Sequence, residues 1–228
     1  MVEYLFLDLD DTILDFHKAE AVAVSKTFRD RGINPTKEMV ERYSAINKTH
    51  WEMMERGELT REQVLVRRFR VFFGELGMTA DPVEVQRNYE QYLSIGHYFL
   101  PGAEAAVASL AGKYRLFLAS NGSAKVQAGR MKSANLYRFF EQVFVSQDIG
   151  HNKPSQAYFE SCFSKISGFD RTKALMVGDS LTSDIRGGNN AGIRTCWVNP
   201  HHFPADPEIP ADYEIESIAQ LEALLETL

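Results

Sequence analysis

Five short apolar runs constrain this chain more than anything else in it. They lie at Tyr4–Leu7, Tyr114–Ala119, Gln142–Ser146, Ala174–Gly178 and Arg194–Asn199, with a weaker sixth at Asp212–Ile215. Near-continuous apolar character in so short a run marks a strand whose two faces are both covered. Helical segments separate the later runs, at 101–112, 123–139, 155–166 and 182–191, and a last one spans 216–227. Strand and helix in alternation predict an α/β fold, a doubly wound parallel sheet with helices on both faces.

The first run breaks that rhythm. Between Phe16 and Phe99 no strand pattern occurs, only helical periodicity over 18–31, 36–56, 60–76 and 82–95, punctuated by Gly32, Pro35, Gly57, Gly77 and Pro82. Thr60 followed by Gln63 has the spacing of a capping box, and Thr36 opens a helix less cleanly. The expected organisation is a sheet domain of residues 1–15 and 100–228 carrying a helical cap of residues 16–99. The 228 residues suffice for both.

The strand ends carry the chemistry. In doubly wound sheets, ligands bind beyond the carboxyl ends of the strands. The first run delivers Asp8 and Asp10, two carboxylates at i and i+2 that leave a strand end on the same side. Like charges so close need a cation or a shared proton, which suggests divalent metal chemistry with one nucleophile and one acid/base. The second run ends in Ser120-Asn121-Gly122, and the fourth in Gly178-Asp179-Ser180, with Asp184 further on. Lys153 precedes Pro154 and the next helix. Alone, each is an ordinary turn, cap or solvated loop residue. Together, in order, they are an inventory for phosphate and metal.

This ordered set resembles the haloacid dehalogenase superfamily, in its phosphatase branch, and the resemblance spans nearly the whole chain. It implies a Rossmann-like core with an inserted helical cap. Asp8 would be the nucleophile that forms an aspartyl-phosphate. Asp10 would be the acid/base, a residue the dehalogenating members lack. Mg²⁺ would be held by Asp8, the backbone carbonyl of Asp10 and Asp179, with Asp184 ligating directly or through water. Ser120, Asn121, Gly122 and Lys153 would bind the phosphoryl group.

An insertion placed just after the nucleophile strand would act as a lid that excludes water and selects the leaving group. Ile46-Asn47-Lys48-Thr49-His50-Trp51, Gly57, Thr60 and Arg67-Arg68-Phe69 look like the cap of the superfamily's pyrimidine nucleoside 5′-monophosphatases, and Thr195–His202 is similar to that group too. On this reading UMP, dUMP or dTMP is the substrate. Trp51 would stack on the base, Asn47 would read its edge, and Lys48 or Arg68 would meet ribose or phosphate. Phe16 and His17 sit near the cap hinge. The alternatives are a phosphatase for sugar phosphates or phosphoglycolate, a phosphohexomutase, and a binding protein on an inactive scaffold. That last would be expected to have lost a motif residue, and none is missing.

Composition narrows the partners. The formal charge is −6 and there is no Lys/Arg tract, which argues against a nucleic-acid or anionic-membrane partner. A small phosphomonoester remains, handled by a monomer or homodimer. No signal peptide is read at the N-terminus and no apolar run reaches membrane-spanning length, so the expected location is cytoplasmic. Cys162 and Cys196 read as buried reduced thiols.

Overall fold

The computed structural model describes residues 1–228. β1 (Tyr4–Leu7) lies inside a six-stranded sheet, between β2 (Arg115–Ser120) and β4 (Ala174–Gly178). The order is β3-β2-β1-β4-β5-β6, where β3 is Gln142–Val145, β5 is Arg194–Val198 and β6 is Tyr213–Ile215. Every pairing is parallel. The chain winds outward from β1 to β3, then restarts at β4 on the other side of β1. The topological switch point, where such sheets bind ligands, therefore lies at the carboxyl ends of β1 and β4.

Alternation along each strand explains the doubly apolar runs. Leu5 and Leu7 join Leu116, Leu118, Leu175 and Val177 in one core, closed by α5 (Ala103–Ala111), α6 (Ala124–Ser133) and α10 (Leu221–Leu225). Tyr4 and Phe6 join Phe117, Phe144 and Met176 on the other face, under α8 (Gln156–Phe163). There Phe6, Phe117 and Phe144 stack across three neighbouring strands, with centroids 5.3 and 6.0 Å apart. Both cysteines are buried and unpaired. No helix is long and apolar enough to cross a membrane.

Four helices lie between β1 and α5: α1 (Phe16–Arg29), α2 (Lys37–Glu55), α3 (Arg61–Glu75) and α4 (Pro82–Leu93). They enclose a separate core in which Phe28 stacks on Phe72 at 4.9 Å, with Tyr43, Phe69 and Tyr89 around them. The Thr60–Gln63 capping box is formed. The chain leaves and re-enters the sheet layer through adjacent segments: Asp15 N–H donates to Tyr98 O at 2.8 Å, and Leu100 N–H to Ile13 O at 3.0 Å.

Several boundaries differ from expectation. The first helix begins at Phe16, because Asp15 caps it by accepting from Lys18 N–H at 2.8 Å. The helix expected over 123–139 stops at Ser133, where Asn135 turns into the left-handed region (φ 53°) and a 3₁₀ turn follows at Tyr137–Phe139. Ser146 belongs not to β3 but to a short helix, α7 (Ser146–Ile149). The segment expected as one helix over 182–191 is a π-helical turn, Leu181–Ile185, running into α9 (Arg186–Ala191). The last helix shortens to a 3₁₀ turn, Ile218–Gln220, and α10. Phe28→Ala, which empties the centre of the four-helix core, should cost about 3–5 kcal/mol by urea unfolding.

Candidate active site

The site is built around a buried ammonium. Lys153 Nζ donates to Asp8 Oδ1 at 2.7 Å, Asp184 Oδ1 at 2.6 Å and Ala119 O at 2.6 Å, so its three N–H bonds are all used. Its side chain is 1% exposed. Burial opposes the charge, but Asp184 and Asp8 outweigh it and raise the Lys153 pKa. Burial pushes the Asp8 carboxyl up to about 8, against the pull of Lys153 and with help from the like charges of Asp184 and Asp10. Asp179 is raised well above the ordinary carboxylate range by burial and by Asp184, Asp8 and Asp11.

Local structure makes this crowding possible. Asp8 keeps its place in the ladder, donating N–H to Val177 O at 2.9 Å, so its carboxylate emerges where β1 ends. A Cβ on Gly178 would lie 2.1 Å from Asp184 Oδ2, so the glycine admits Asp184 beneath the end of β4. Asp184 Oδ2 accepts from Ser180 N–H at 3.1 Å. Asp179 is placed through its own carbonyl, which accepts from Trp197 Nε1 at 2.8 Å.

Asp8, Asp179 and Asp184 each bring a carboxylate oxygen within 4.8 Å of the others. An all-oxygen, anionic donor set of this kind suits a hard divalent cation, whose charge would reverse the upward push on these carboxyls. Asp10 stands apart. Its Oδ1 pairs with Arg130 and its Oδ2 accepts from Gln127 Nε2 at 2.6 Å. Its carboxylate is therefore occupied, leaving the backbone carbonyl as what Asp10 can offer a cation.

The phosphate-binding expectations divide. Ser120 Oγ is buried and accepts from Gln127 Nε2 at 2.8 Å and Gly122 N–H at 3.1 Å. The Gly122 N–H is thus turned towards Ser120. Asn121 acts as a clip: its Oδ1 accepts from Lys153 N–H and its Nδ2 donates to Lys153 O, both at 2.9 Å. It positions the lysine loop with its side chain.

One cavity of about 310 Å³ joins these residues to the helical insertion. Phe16, His17, Asn47, Lys48, Trp51 and Arg68 all line it, as do Glu20 and Tyr89. Asn47 is not free to read a base edge with both ends of its amide. Its Nδ2 donates to Glu20 Oε1 at 2.6 Å, and its Oδ1 accepts from Arg68 Nη1 at 2.5 Å. Arg68 Nη2 continues to Gln86 Oε1 at 2.7 Å, and Ser44 Oγ donates to Glu20 Oε2 at 2.5 Å. The four helices thus share one buried polar chain. Trp51 is half-buried beside Met54, Leu59 and Val64, with the Arg61 guanidinium 5.6 Å from its ring centroid. Lys48 and His17 are exposed.

Sequence reasoning missed Arg61, Gln127, Arg130 and Glu20. Arg61, from α3, donates to the carbonyls of Asn121 (2.7 Å) and Gly122 (2.9 Å), and to Ser146 Oγ and Asn152 Oδ1. It joins the insertion to the loop that follows β2. A signal existed for Gln127 and Arg130. They fall in the stripe Val126, Gln127, Arg130, Met131, the buried face of α6, where uncompensated polar groups are costly.

The family model for haloacid dehalogenase-like hydrolases matches residues 4–198. The chain belongs to this hydrolase family. It is 39% identical over 221 residues to the Bacillus subtilis protein YfnB, spanning 97% of this chain and 94% of that one. The crystal structure of YfnB bound to magnesium superposes with a TM-score of 0.94 over 98% of both chains. Pyrimidine 5′-nucleotidase PynA of Streptococcus pneumoniae is 36% identical over 96% of this chain and 93% of its own length. Pyrimidine 5′-nucleotidase YjjG of Escherichia coli is 29% identical over 98% and 97%. Within the candidate site, Lys153→Met leaves Asp8 and Asp184 without their counter-charge. It should destabilise the protein by about 3–5 kcal/mol in urea unfolding at neutral pH. The loss should grow as pH rises through about 8, where Asp8 ionises against Lys153 in the wild type and has no counter-charge in the variant.

Proposed function

We propose that this hydrolase is a Mg²⁺-dependent phosphomonoesterase that works through an aspartyl-phosphate on Asp8, with pyrimidine nucleoside 5′-monophosphates as its substrates. The observation that carries the reading is the contrast between two carboxylates two residues apart. Asp8 is buried against Lys153 beside the cation donor set, whereas Asp10 is half-buried on separate partners, Arg130 and Gln127. Two carboxyls in different environments are suited to two different roles.

The Asp8 carboxylate attacks phosphorus, and the bond from phosphorus to the leaving oxygen breaks as that oxygen takes a proton from Asp10. A water then attacks the phosphorus of the aspartyl-phosphate. Asp10 accepts the proton from that water, and Asp8 leaves as a carboxylate with inorganic phosphate released. Lys153 offsets charge on Asp8 and on the phosphoryl group, and Ser120 Oγ supplies a hydrogen-bond partner for a phosphoryl oxygen. Asp8, Asp179 and the Asp10 carbonyl, with Asp184 in support, would hold Mg²⁺, which would supply charge neutralisation and orientation when bound.

The helical insertion 16–99 is the cap of this reading. Its cavity, about 310 Å³, falls at the small end of the range for organic ligands. From the cap the cavity is lined by buried Glu20, Asn47 and Arg68 and by exposed His17 and Lys48, polar groups that suit a leaving group with hydrogen-bonding edges. The two nucleotidase relatives, matched along nearly their whole lengths, favour a pyrimidine there.

Phosphate release from UMP, dUMP and dTMP, set beside sugar phosphates and phosphoglycolate, tests the reading. Turnover should need Mg²⁺, stop with chelator and vanish in Asp8→Asn. A preference for sugar phosphates would overturn the nucleotide assignment and keep the chemistry. Isomerised sugar phosphate without phosphate release would mark a mutase. Metal binding has its own readout: Mg²⁺ at about 100 times its Kd should stabilise the fold by about 2.7 kcal/mol, raising Tm by several degrees. Asp179→Asn should lose that shift.

A further inference from the structure

Arg130 is fully buried, and its ion-pair partner is the Asp10 carboxylate. The guanidinium does more than neutralise. Its Nε donates to Gly96 O at 3.0 Å, in the segment by which the cap returns to the sheet domain. Its Cζ lies 5.8 Å from the ring centroid of Phe16, the first residue of the outgoing cap helix. One side chain therefore touches both hinge segments and the acid/base. Gln127, one turn earlier, completes the hold by donating from Nε2 to Asp10 Oδ2 at 2.6 Å and to Ser120 Oγ at 2.8 Å.

Two glycines make room for this unit. A Cβ on Gly129 would sit 2.6 Å from Ser94 O, so only glycine lets α6 approach the returning segment this closely. A Cβ on Gly122 would sit 2.4 Å from Gln127 Nε2. A fully buried guanidinium is costly, and Nη2 of Arg130 has no hydrogen-bond partner. A merely structural anchor for α6 would be cheaper as an apolar side chain.

We propose that Arg130 is the positioning residue of Asp10, orienting the acid/base carboxylate and tying its place to the cap hinge at Gly96, with Gln127 as its second support. This rests on the phosphatase reading above. An alkoxide leaving group requires its proton from a well-placed Asp10, whereas a nitrophenolate leaves without one. Arg130 variants should therefore discriminate between esters, which a general loss of folding would not do.

The test measures kcat/KM on UMP and on p-nitrophenyl phosphate for wild type, Arg130→Lys, Arg130→Gln, Gln127→Leu and Asp10→Asn. Arg130→Gln should lose about 100-fold or more in kcat/KM on UMP and less than about 10-fold on the nitrophenyl ester, while kcat falls on both, because Asp10 also activates the water that hydrolyses the aspartyl-phosphate. Arg130→Lys, which keeps the buried charge without the guanidinium fork, should show the same selectivity, and Gln127→Leu a smaller version of it. Asp10→Asn sets the pattern to be matched. Equal losses on both esters in folded Arg130→Lys and Gln127→Leu, or no loss at all, would overturn the proposal. Persistent turnover in Asp8→Asn would instead overturn the phosphatase reading, and this inference with it.

Discussion

Everything at this site depends on burying one ammonium among carboxylates. Lys153 spends its three N–H bonds on Asp8, Asp184 and the carbonyl of Ala119. Those partners come from the ends of β1 and β2 and from the turn after β4, so one charged group fixes three chain segments at the switch point. The arrangement is costly to assemble and more costly to break, since removing either sign leaves the other stranded in a medium that solvates it poorly. That is why Gly178 yields space to Asp184 and why Asn121 spends its amide holding the lysine loop.

The same logic separates two neighbours of identical type. Asp8 and Asp10 share a strand end, yet Asp8 faces Lys153 and two further carboxylates while Asp10 faces an arginine and a glutamine of α6. The fold gives the two carboxylates unlike surroundings by drawing on different elements, the lysine loop and the turn after β4 for Asp8 and α6 for Asp10. Arg61 adds a third link, running from the insertion to the carbonyls of the loop after β2. Insertion and sheet domain thus meet through directed hydrogen bonds and through Val126 of α6, which packs into the aromatic core of the insertion.

Inside the insertion, polar side chains occupy positions that helical periodicity assigns to a core. Glu20, Asn47, Arg68 and Gln86, one from each helix, form a chain of hydrogen bonds beside the aromatic core of Phe28, Tyr43, Phe69, Phe72 and Tyr89. Asn47 and Arg68 were singled out from the sequence as substrate contacts, and both line the cavity. Their first obligations are nonetheless to each other and to Glu20, because a buried amide and a buried guanidinium must be satisfied locally.

How far the sequence reached follows from the range of the forces involved. Strands and cap helices were legible because apolar periodicity and capping residues act over a few positions, as the Thr60–Gln63 box shows. The carboxylates, Ser120 and Lys153 were legible because each lies at a strand end or loop whose place the pattern sets. Helix ends were less so: Asn135 in a left-handed conformation and the π-helical turn at Leu181–Ile185 answer to packing around them. By itself the sequence determined a doubly wound sheet with a helical insertion and an acidic strand end. Only the tertiary structure decided which charge faces which, giving Asp8 to Lys153 and Asp10 to Arg130. Coulombic and hydrogen-bond pairing depends on distances of a few ångströms between residues more than a hundred positions apart, and local pattern carries no record of them.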